Sequence, residues 1–114
     1  MTFEQYQNLA ARTIDPKLTS KQQENHALHE IASEVGEIHD LYQKEIQGHP
    51  MMLHRLILEM GDVLWGLAEL ATSLGVSMED VAQSNIRKLR ERYPDGFSAE
   101  RSINRKEYQH ENRG

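Results

Sequence analysis

The sequence predicts an all-α fold, a bundle of four helices. Three observations support this class. Apolar residues recur at spacings of three and four along four segments, which is the period of an amphipathic helix. Capping motifs and Pro or Gly residues separate these segments, and no segment shows the alternation typical of a strand. The 114 residues suit a single domain, which we assign to residues 1–97, followed by a polar C-terminal arm or tail at 98–114.

The first two helices each begin at a capping box, in which a hydroxyl and an amide side chain bind free backbone N–H groups. Thr2-Phe-Glu-Gln5 forms the first box, and that helix ends before Asp15-Pro16, because proline disrupts a helix interior. Ser20-Lys-Gln-Gln23 offers the second box. It predicts a long second helix that runs to about Lys44.

The third and fourth helices are bounded by breakers. Gly48-His-Pro50 ends the second helix, and Pro50 is expected in the first turn of the third. The third helix runs to about Ser73, and Gly75 is expected to close it. Ser77-Met-Glu-Asp80 caps the fourth helix, which ends at Pro94-Asp-Gly96. Apolar side chains nearly encircle the third helix: Leu53, Leu56, Ile57, Leu58, Met60, Val63, Leu64, Trp65, Leu67 and Leu70. Such a helix is covered on most sides, so we expect subunits to associate through it.

Composition excludes several classes of protein. Lys+Arg 13 against Asp+Glu 18 gives a net charge of -5, which disfavours binding to nucleic acid. The absence of cysteine removes disulfides, zinc-thiolate sites and thiol nucleophiles. Met1 to Ala10 lacks the apolar core of a signal peptide, and charged residues interrupt the apolar stretch from Met51 to Thr72. We therefore expect a cytoplasmic protein with no membrane segment.

Two pairs of acids stand three residues apart, Glu34-Val-Gly-Glu37 on the second helix and Glu59-Met-Gly-Asp62 on the third. Spacing alone is weak evidence, because 18 acids in 114 residues give about three such pairs by chance. Their placement is more informative. On a helical wheel Glu34 and Glu59 fall within the apolar faces of their helices, and Glu37 lies at the edge of its face.

A carboxylate on an apolar face needs a partner, since two carboxylates about 5 Å apart repel by about 3 kcal/mol at an effective dielectric near 20. A divalent cation would neutralise converging acids. Oxygen ligands select hard cations, and Mg²⁺ is commonly shared between carboxylates and substrate phosphates. A di-iron centre is disfavoured, because Glu37 and Asp62 stand where that centre has histidines. The alternative is that all four acids are solvated.

Two further features bear on this site. Gly36 and Gly61 lie inside helices, where glycine is unfavourable, and they indicate either a close helix approach or an ordinary crossing. Asn85, Lys88 and Arg92 share one stripe of the fourth helix. Lys and Arg suit phosphate oxygens, although cations near a helix C-terminus also favour the helix dipole alone.

Three segments are informative together: Ser33-Glu-Val-Gly-Glu-Ile38, Glu59-Met-Gly-Asp-Val-Leu-Trp65 and Asn85-Ile-Arg-Lys-Leu-Arg-Glu-Arg-Tyr-Pro-Asp-Gly-Phe97. They resemble the MazG-type nucleotide pyrophosphohydrolases of the all-α NTP pyrophosphatase superfamily, and the resemblance covers roughly Ala27 to Arg105. It implies an all-helical MazG-like bundle that forms a homodimer or a dimer of dimers. It also implies Mg²⁺-dependent cleavage of nucleoside triphosphates to monophosphate and pyrophosphate, in nucleotide-pool house-cleaning.

The resemblance also assigns roles. Four acids would bind the metal, Mg²⁺ with Mn²⁺ as a substitute: Glu34, Glu37, Glu59 and Asp62. Lys88 and Arg92 would hold the phosphates, with Asn85 as an accessory. Glu37, at the polar edge of its face, is our candidate for the catalytic base. The alternative function is a non-catalytic helical interaction module or a nucleotide-binding module.

Overall fold

The computed structural model describes residues 1–105 and consists mainly of helices. They are α1 (Phe3–Ala11), α2 (Ser20–Ile46), α3 (Leu53–Leu74), α4 (Met78–Arg92) and α5 (Ala99–Ile103). Residues 1–105 contain no strand, only an isolated bridge between Pro94 and Gly96. The all-α class is confirmed, and α5 adds a short helix to the four predicted. The remainder of the predicted arm, residues 106–114, lies outside the described residues.

Capping boxes begin α1 and α2. The box at Thr2 is confirmed, with Gln5 as its partner. The second box is one residue earlier than predicted: Thr19 Oγ1 accepts from the Gln22 backbone N–H at 3.1 Å, and Gln22 Oε1 accepts from the Thr19 N–H at 3.0 Å. Ser20 is therefore the first residue of α2, because a threonine with a correctly spaced glutamine already satisfies the free N–H groups.

The start of α3 also differs from the expectation. Pro50 precedes the helix, which begins at Leu53, and the Met52 side chain makes no capping hydrogen bond. The end of α3 is as predicted. Gly75 follows the helix in the left-handed conformation (φ +70°), which glycine adopts without steric cost.

The chain divides into two compact units, Met1–Met78 and the residues from Glu79 onward. In the first unit α3 packs against both α1 and α2. The buried cluster at the contact with α1 is formed mainly by alanines: its members are Ala10, Ala68, Ala71 and Met78, with Tyr6, Leu64 and Trp65 packed against it. Small residues let helix axes approach closely, so these contacts hold α3 in place.

Gln7 joins α1 to the far end of α3. Its Nε2 donates to Thr72 Oγ1 at 3.2 Å and to the Val76 carbonyl at 3.0 Å. Its Oε1 accepts from the backbone N–H of Met78 at 2.8 Å. One side chain thus satisfies a free N–H at the start of α4 and fixes α1 on α3.

The closest approach of α2 to α3 is at Gly66. A Cβ on Gly66 would lie 2.8 Å from Ile31 Cγ1 and 3.4 Å from the Ile31 backbone nitrogen. A Cβ on Gly36 or Gly61 would meet nothing within 4 Å. The helices therefore come together at Gly66 rather than at the two glycines beside the acid pairs.

An ion pair between an exposed histidine and a buried glutamate also joins α2 to α3. His26 Nδ1 donates to Glu69 Oε1 at 2.7 Å, and the Glu69 side chain is only 1% exposed. This hydrogen bond raises the pKa of His26; burial opposes the shift, and the negative charges of Glu30 and Asp15 add to it. Breaking such a pair leaves a buried carboxylate without its counter-charge, which is strongly unfavourable.

The second unit holds the rest of α4 and α5. After α4, Gly96 turns the chain with φ +92°, and the rings of Tyr93 and Phe97 lie 5.5 Å apart. Ser98 Oγ accepts from the Arg101 backbone N–H at 3.3 Å and begins α5. The turn, the ring contact and this cap together fix where α5 starts.

Much of the apolar surface of α3 is exposed in the single chain. The exposed residues are Leu53, Ile57, Leu58, Met60, Leu67 and Leu74. Within residues 1–105, no helix combines the length and the apolar character needed to cross a bilayer. All of them except Leu58 recur at spacings of three, four and seven, so they lie on one face of the helix.

The approach at Gly66 predicts opposite effects for two Gly→Ala substitutions. Gly66→Ala should destabilise the protein by about 1 kcal/mol, because overpacking against Ile31 outweighs the gain in helix propensity. Gly36→Ala is the matched control and should stabilise it by about 0.5–1 kcal/mol, since nothing lies near its Cβ. Urea unfolding measures both. Equal effects at the two positions would contradict the close approach.

The ion pair predicts a pH dependence of stability. Because the pKa of His26 is raised above 6.5 in the folded protein, its contribution is complete below pH 6.5 and is lost as pH rises through the folded value. Thermal unfolding without divalent ions should therefore show a loss of stability as pH rises above 6.5, and this loss should be smaller in His26→Gln. His29→Gln, at an exposed histidine of the same helix, should keep the loss. If stability depends on pH as steeply in His26→Gln as in the wild type, the assignment of this loss to His26 is refuted.

Candidate metal centre

The packing of α2 against α3 brings three acidic side chains together. One carboxylate oxygen from each of Glu34, Glu59 and Asp62 lies within 4.8 Å of the others. Glu59 and Asp62 are three residues apart on α3 and so project from the same face. Glu34 faces them from α2. We call these three residues the acidic triad.

The acidic triad concentrates negative charge in a partly dry place. Glu34 and Glu59 are partly buried, and Asp62 is exposed. A hydrogen bond with Glu59 raises the pKa of Glu34 from 4.5 to about 7, and burial and the charge of Asp62 act in the same direction. A hydrogen bond between two carboxyl groups requires a proton on one of them, so without a cation the triad holds a proton near neutral pH.

This donor set fits a hard divalent cation. All three ligands are carboxylates whose oxygens can reach one ion, and such oxygen-only sets suit Mg²⁺ or Mn²⁺ rather than metals that prefer sulfur or nitrogen. Three protein ligands leave coordination positions for water and for a substrate oxygen. The raised pKa of Glu34 distinguishes the triad from solvated acids, which do not perturb one another in this way.

The fourth acid predicted from the sequence lies apart from the triad. Glu37 is exposed, one turn after Glu34 on α2, and is not among the three side chains whose oxygens converge. Its role as a ligand or as the catalytic base stays a prediction. Glu30 was missed: it is partly buried and hydrogen-bonds to Glu34. Its position four residues before Glu34, on the same helix face, is the signal that sequence reasoning had available.

Helix α1 also reaches this region through Tyr6. Burial raises the pKa of the Tyr6 hydroxyl, and the negative charge of Asp62 raises it further. The hydroxyl therefore stays protonated at neutral pH. It is a neutral hydrogen-bond donor near the exposed acid of the triad, and the sequence pattern of α1 did not indicate it.

The three residues predicted to bind phosphate lie on α4, in the second unit. Lys88 and Arg92 line the same cavity, of about 760 Å³, together with residues of α5 and its flanks. Asn85 is exposed one turn earlier on α4 and is not among the residues that line this cavity. Of the three predicted phosphate-binding residues, Lys88 and Arg92 therefore line one cavity and Asn85 does not.

Comparison with known proteins identifies one family. The family model described as the MazG nucleotide pyrophosphohydrolase domain matches residues 22–97, a region that includes the acidic triad, Lys88 and Arg92. No curated protein and no solved structure matches the chain.

The acidic triad predicts how a divalent cation changes stability. Mg²⁺ at ten times its dissociation constant should stabilise the native protein by about 1.4 kcal/mol, which raises Tm by about 5 °C for a domain of this size. Glu59→Gln should abolish this gain and, without Mg²⁺, should raise Tm because one of the crowded charges is removed.

The matched control is Glu45→Gln, at an exposed acid elsewhere on α2, which should keep the full response to Mg²⁺. Thermal unfolding followed by circular dichroism measures all three proteins. A Glu59→Gln variant that gains as much from Mg²⁺ as the wild type would contradict the site.

Proposed function

The chain belongs to the MazG nucleotide pyrophosphohydrolase domain family, and on that premise we propose that it hydrolyses nucleoside triphosphates at the bond between the α- and β-phosphates. The substrates are ribo- or deoxyribonucleoside triphosphates, and the products are the monophosphate and pyrophosphate. The observation that carries this proposal is the convergence of Glu34, Glu59 and Asp62 on one point. A polyphosphate substrate brings its own negative charge, so hydrolysis there requires a cation.

In this proposal Glu34, Glu59 and Asp62 hold Mg²⁺, or Mn²⁺ in its place, and Glu37 completes the ligand set from the next turn of α2. When bound, the ion neutralises phosphate charge and lowers the pKa of a coordinated water. The oxygens of the triad are already close together. Ion binding therefore requires the loss of the proton shared between Glu34 and Glu59, and little rearrangement.

Glu37 is our candidate for the base that activates the attacking water. It is exposed and lies one turn from Glu34, so its carboxylate is available to take a proton. The oxygen of the water forms a bond to the α-phosphorus, and the bond from that phosphorus to the bridging oxygen breaks. Pyrophosphate carries away the electron pair, and the proton of the water passes to Glu37.

Lys88 and Arg92 supply positive charge to the phosphates in this proposal, with Asn85 as an accessory hydrogen-bond donor. Lys88 and Arg92 line one cavity, and Arg presents a planar fork that matches phosphate oxygens. Their charges would stabilise the negative charge that develops on the leaving pyrophosphate.

We propose that the protein acts as a homodimer or a dimer of dimers. The exposed apolar residues on α3, among them Leu53, Ile57 and Leu58, support association, because contiguous exposed apolar surface marks an interface. A role in removing unwanted nucleotides from the nucleotide pool fits this activity and implies a cytoplasmic location.

A product assay tests the function. The protein is incubated with a panel of ribo- and deoxyribonucleoside triphosphates and Mg²⁺ in ¹⁸O-labelled water, and the products are separated and weighed by mass spectrometry. We expect monophosphate and pyrophosphate, with the label in the monophosphate, because water attacks the α-phosphorus. Label in the pyrophosphate would indicate attack at the β-phosphorus. Diphosphate with orthophosphate would refute the cleavage point, and binding without product would identify a nucleotide-binding module.

The Glu59→Gln variant connects this activity to the acidic triad. It should lose at least 90% of turnover, since one removed metal contact costs several kcal/mol of transition-state stabilisation, or about a hundredfold in rate. Glu45→Gln should keep wild-type turnover. Retention of more than a tenth of the rate in Glu59→Gln would reject the triad as the catalytic centre.

A further inference from the structure

Four of the eight described residues that line the cavity in the second unit are cations. Two of them, Lys88 and Arg92, belong to α4; Arg101 belongs to α5, and Arg105 follows it. Two acids, Glu91 and Glu100, also line the cavity, so the lining residues within 1–105 carry a net excess of two positive charges. The whole chain carries a net charge of -5, so this excess runs against the overall composition.

The local structure holds these cations around the cavity. Gly96 turns the chain with φ +92°, and Ser98 caps α5 through the Arg101 backbone N–H. Arg105 Nε donates to the Ser102 carbonyl at 3.4 Å, which orients its guanidinium group. Arg92 and Arg105 are both partly buried. The hydrogen-bonded fork of Arg105 is therefore pre-organised, so less of its side-chain entropy is lost when it binds a ligand.

The size and charge of the cavity favour a phosphate chain over a single small anion. Its volume of about 760 Å³ lies within the range of small-molecule sites. A single carboxylate reaches only one or two of the four cations at the wall, whereas a chain of phosphates has enough oxygens to engage several of them at once. Arginine forks bind such oxygens in pairs.

We propose that this cavity binds a polyphosphate chain, and that Arg101 and Arg105 are binding residues in addition to Lys88 and Arg92. The choice of ligand rests on the proposed function, because the shared chemistry belongs both to the triphosphate of a nucleotide and to inorganic pyrophosphate. Neither Arg101 nor Arg105 falls within the region matched by the family model, which ends at residue 97.

Binding is tested without metal, so that the acidic triad repels the ligand and cannot contribute. Inorganic pyrophosphate and tripolyphosphate are titrated into the protein in EDTA by isothermal calorimetry. Arg101→Gln should weaken binding about tenfold, which is the loss of one charge-assisted hydrogen bond, and Arg101→Gln with Arg105→Gln should weaken it further. Arg101→Lys keeps the charge and should lose less affinity than Arg101→Gln.

The matched control is the double variant Arg87→Gln and Arg90→Gln, which removes two charges from α4 at residues that do not line the cavity. It should bind within threefold of the wild type. The proposal is overturned if this control loses as much affinity as the Arg101 and Arg105 variant, if Lys and Gln at position 101 lose equally, or if the wild type does not bind.

Kinetics then separate the two sources of the phosphate chain. If the cavity takes the substrate, Arg101→Gln raises KM for the nucleoside triphosphate; if it takes only the product, KM is unchanged and inhibition by added pyrophosphate weakens. Either result supports the cavity as a polyphosphate site. The proposal is overturned if Arg101→Gln changes neither KM nor the inhibition by pyrophosphate. If the wild type hydrolyses nothing, the proposed function fails, and the metal-free titration still decides this inference.

Discussion

The contact between α2 and α3 is the constraint on which the candidate site depends. Gly66 lets the two helices approach until a Cβ would clash with Ile31, and the pair of His26 with buried Glu69 fixes the same contact nearer the start of α2. With the helices aligned in this way, Glu34 must face Glu59 and Asp62. The negative charges of the three acids oppose this packing. The hydrogen bond with Glu59, burial and the charge of Asp62 together raise the pKa of Glu34. The fold holds the acids together, and a cation relieves their repulsion.

Local chemistry explains which parts of the fold the sequence could predict. The box at Thr2 and the glycine stop at Gly75 depend only on neighbouring residues, so their patterns suffice. Thr19 and Ser20 are both good caps, and only the folded backbone decides between them. Pro50 suits a first helical turn, yet residues 49–52 lie outside the helices and the backbone of Met52 is extended. Helix α5 is short and has no buried residue, so its sequence lacks the hydrophobic periodicity from which a helix is predicted.

The same reasoning separates the predictable from the unpredictable residues of the site. Helical spacing and placement on apolar faces identified Glu34, Glu59 and Asp62, because both are properties of single helices. Spacing cannot tell how far Glu37 stands from an ion, since that depends on the rotation of α2 against α3. The involvement of Tyr6 and the burial of Glu69 likewise arise from packing between helices, and they become visible only when the helices are assembled. Glu30 differs, because it lies one turn before Glu34 on the same helix and its spacing could have indicated it.

Helix α1 has a consequence for anyone who recombinantly expresses a minimal domain. The family match starts at residue 22, so α1 falls outside it, although Ala10 belongs to the buried cluster and Gln7 bonds the start of α4. A fragment trimmed to the matched boundaries loses these contacts and uncovers Ala68 and Ala71. Cloning limits drawn from family similarity would therefore cut through the hydrophobic core and favour inclusion bodies over folded material.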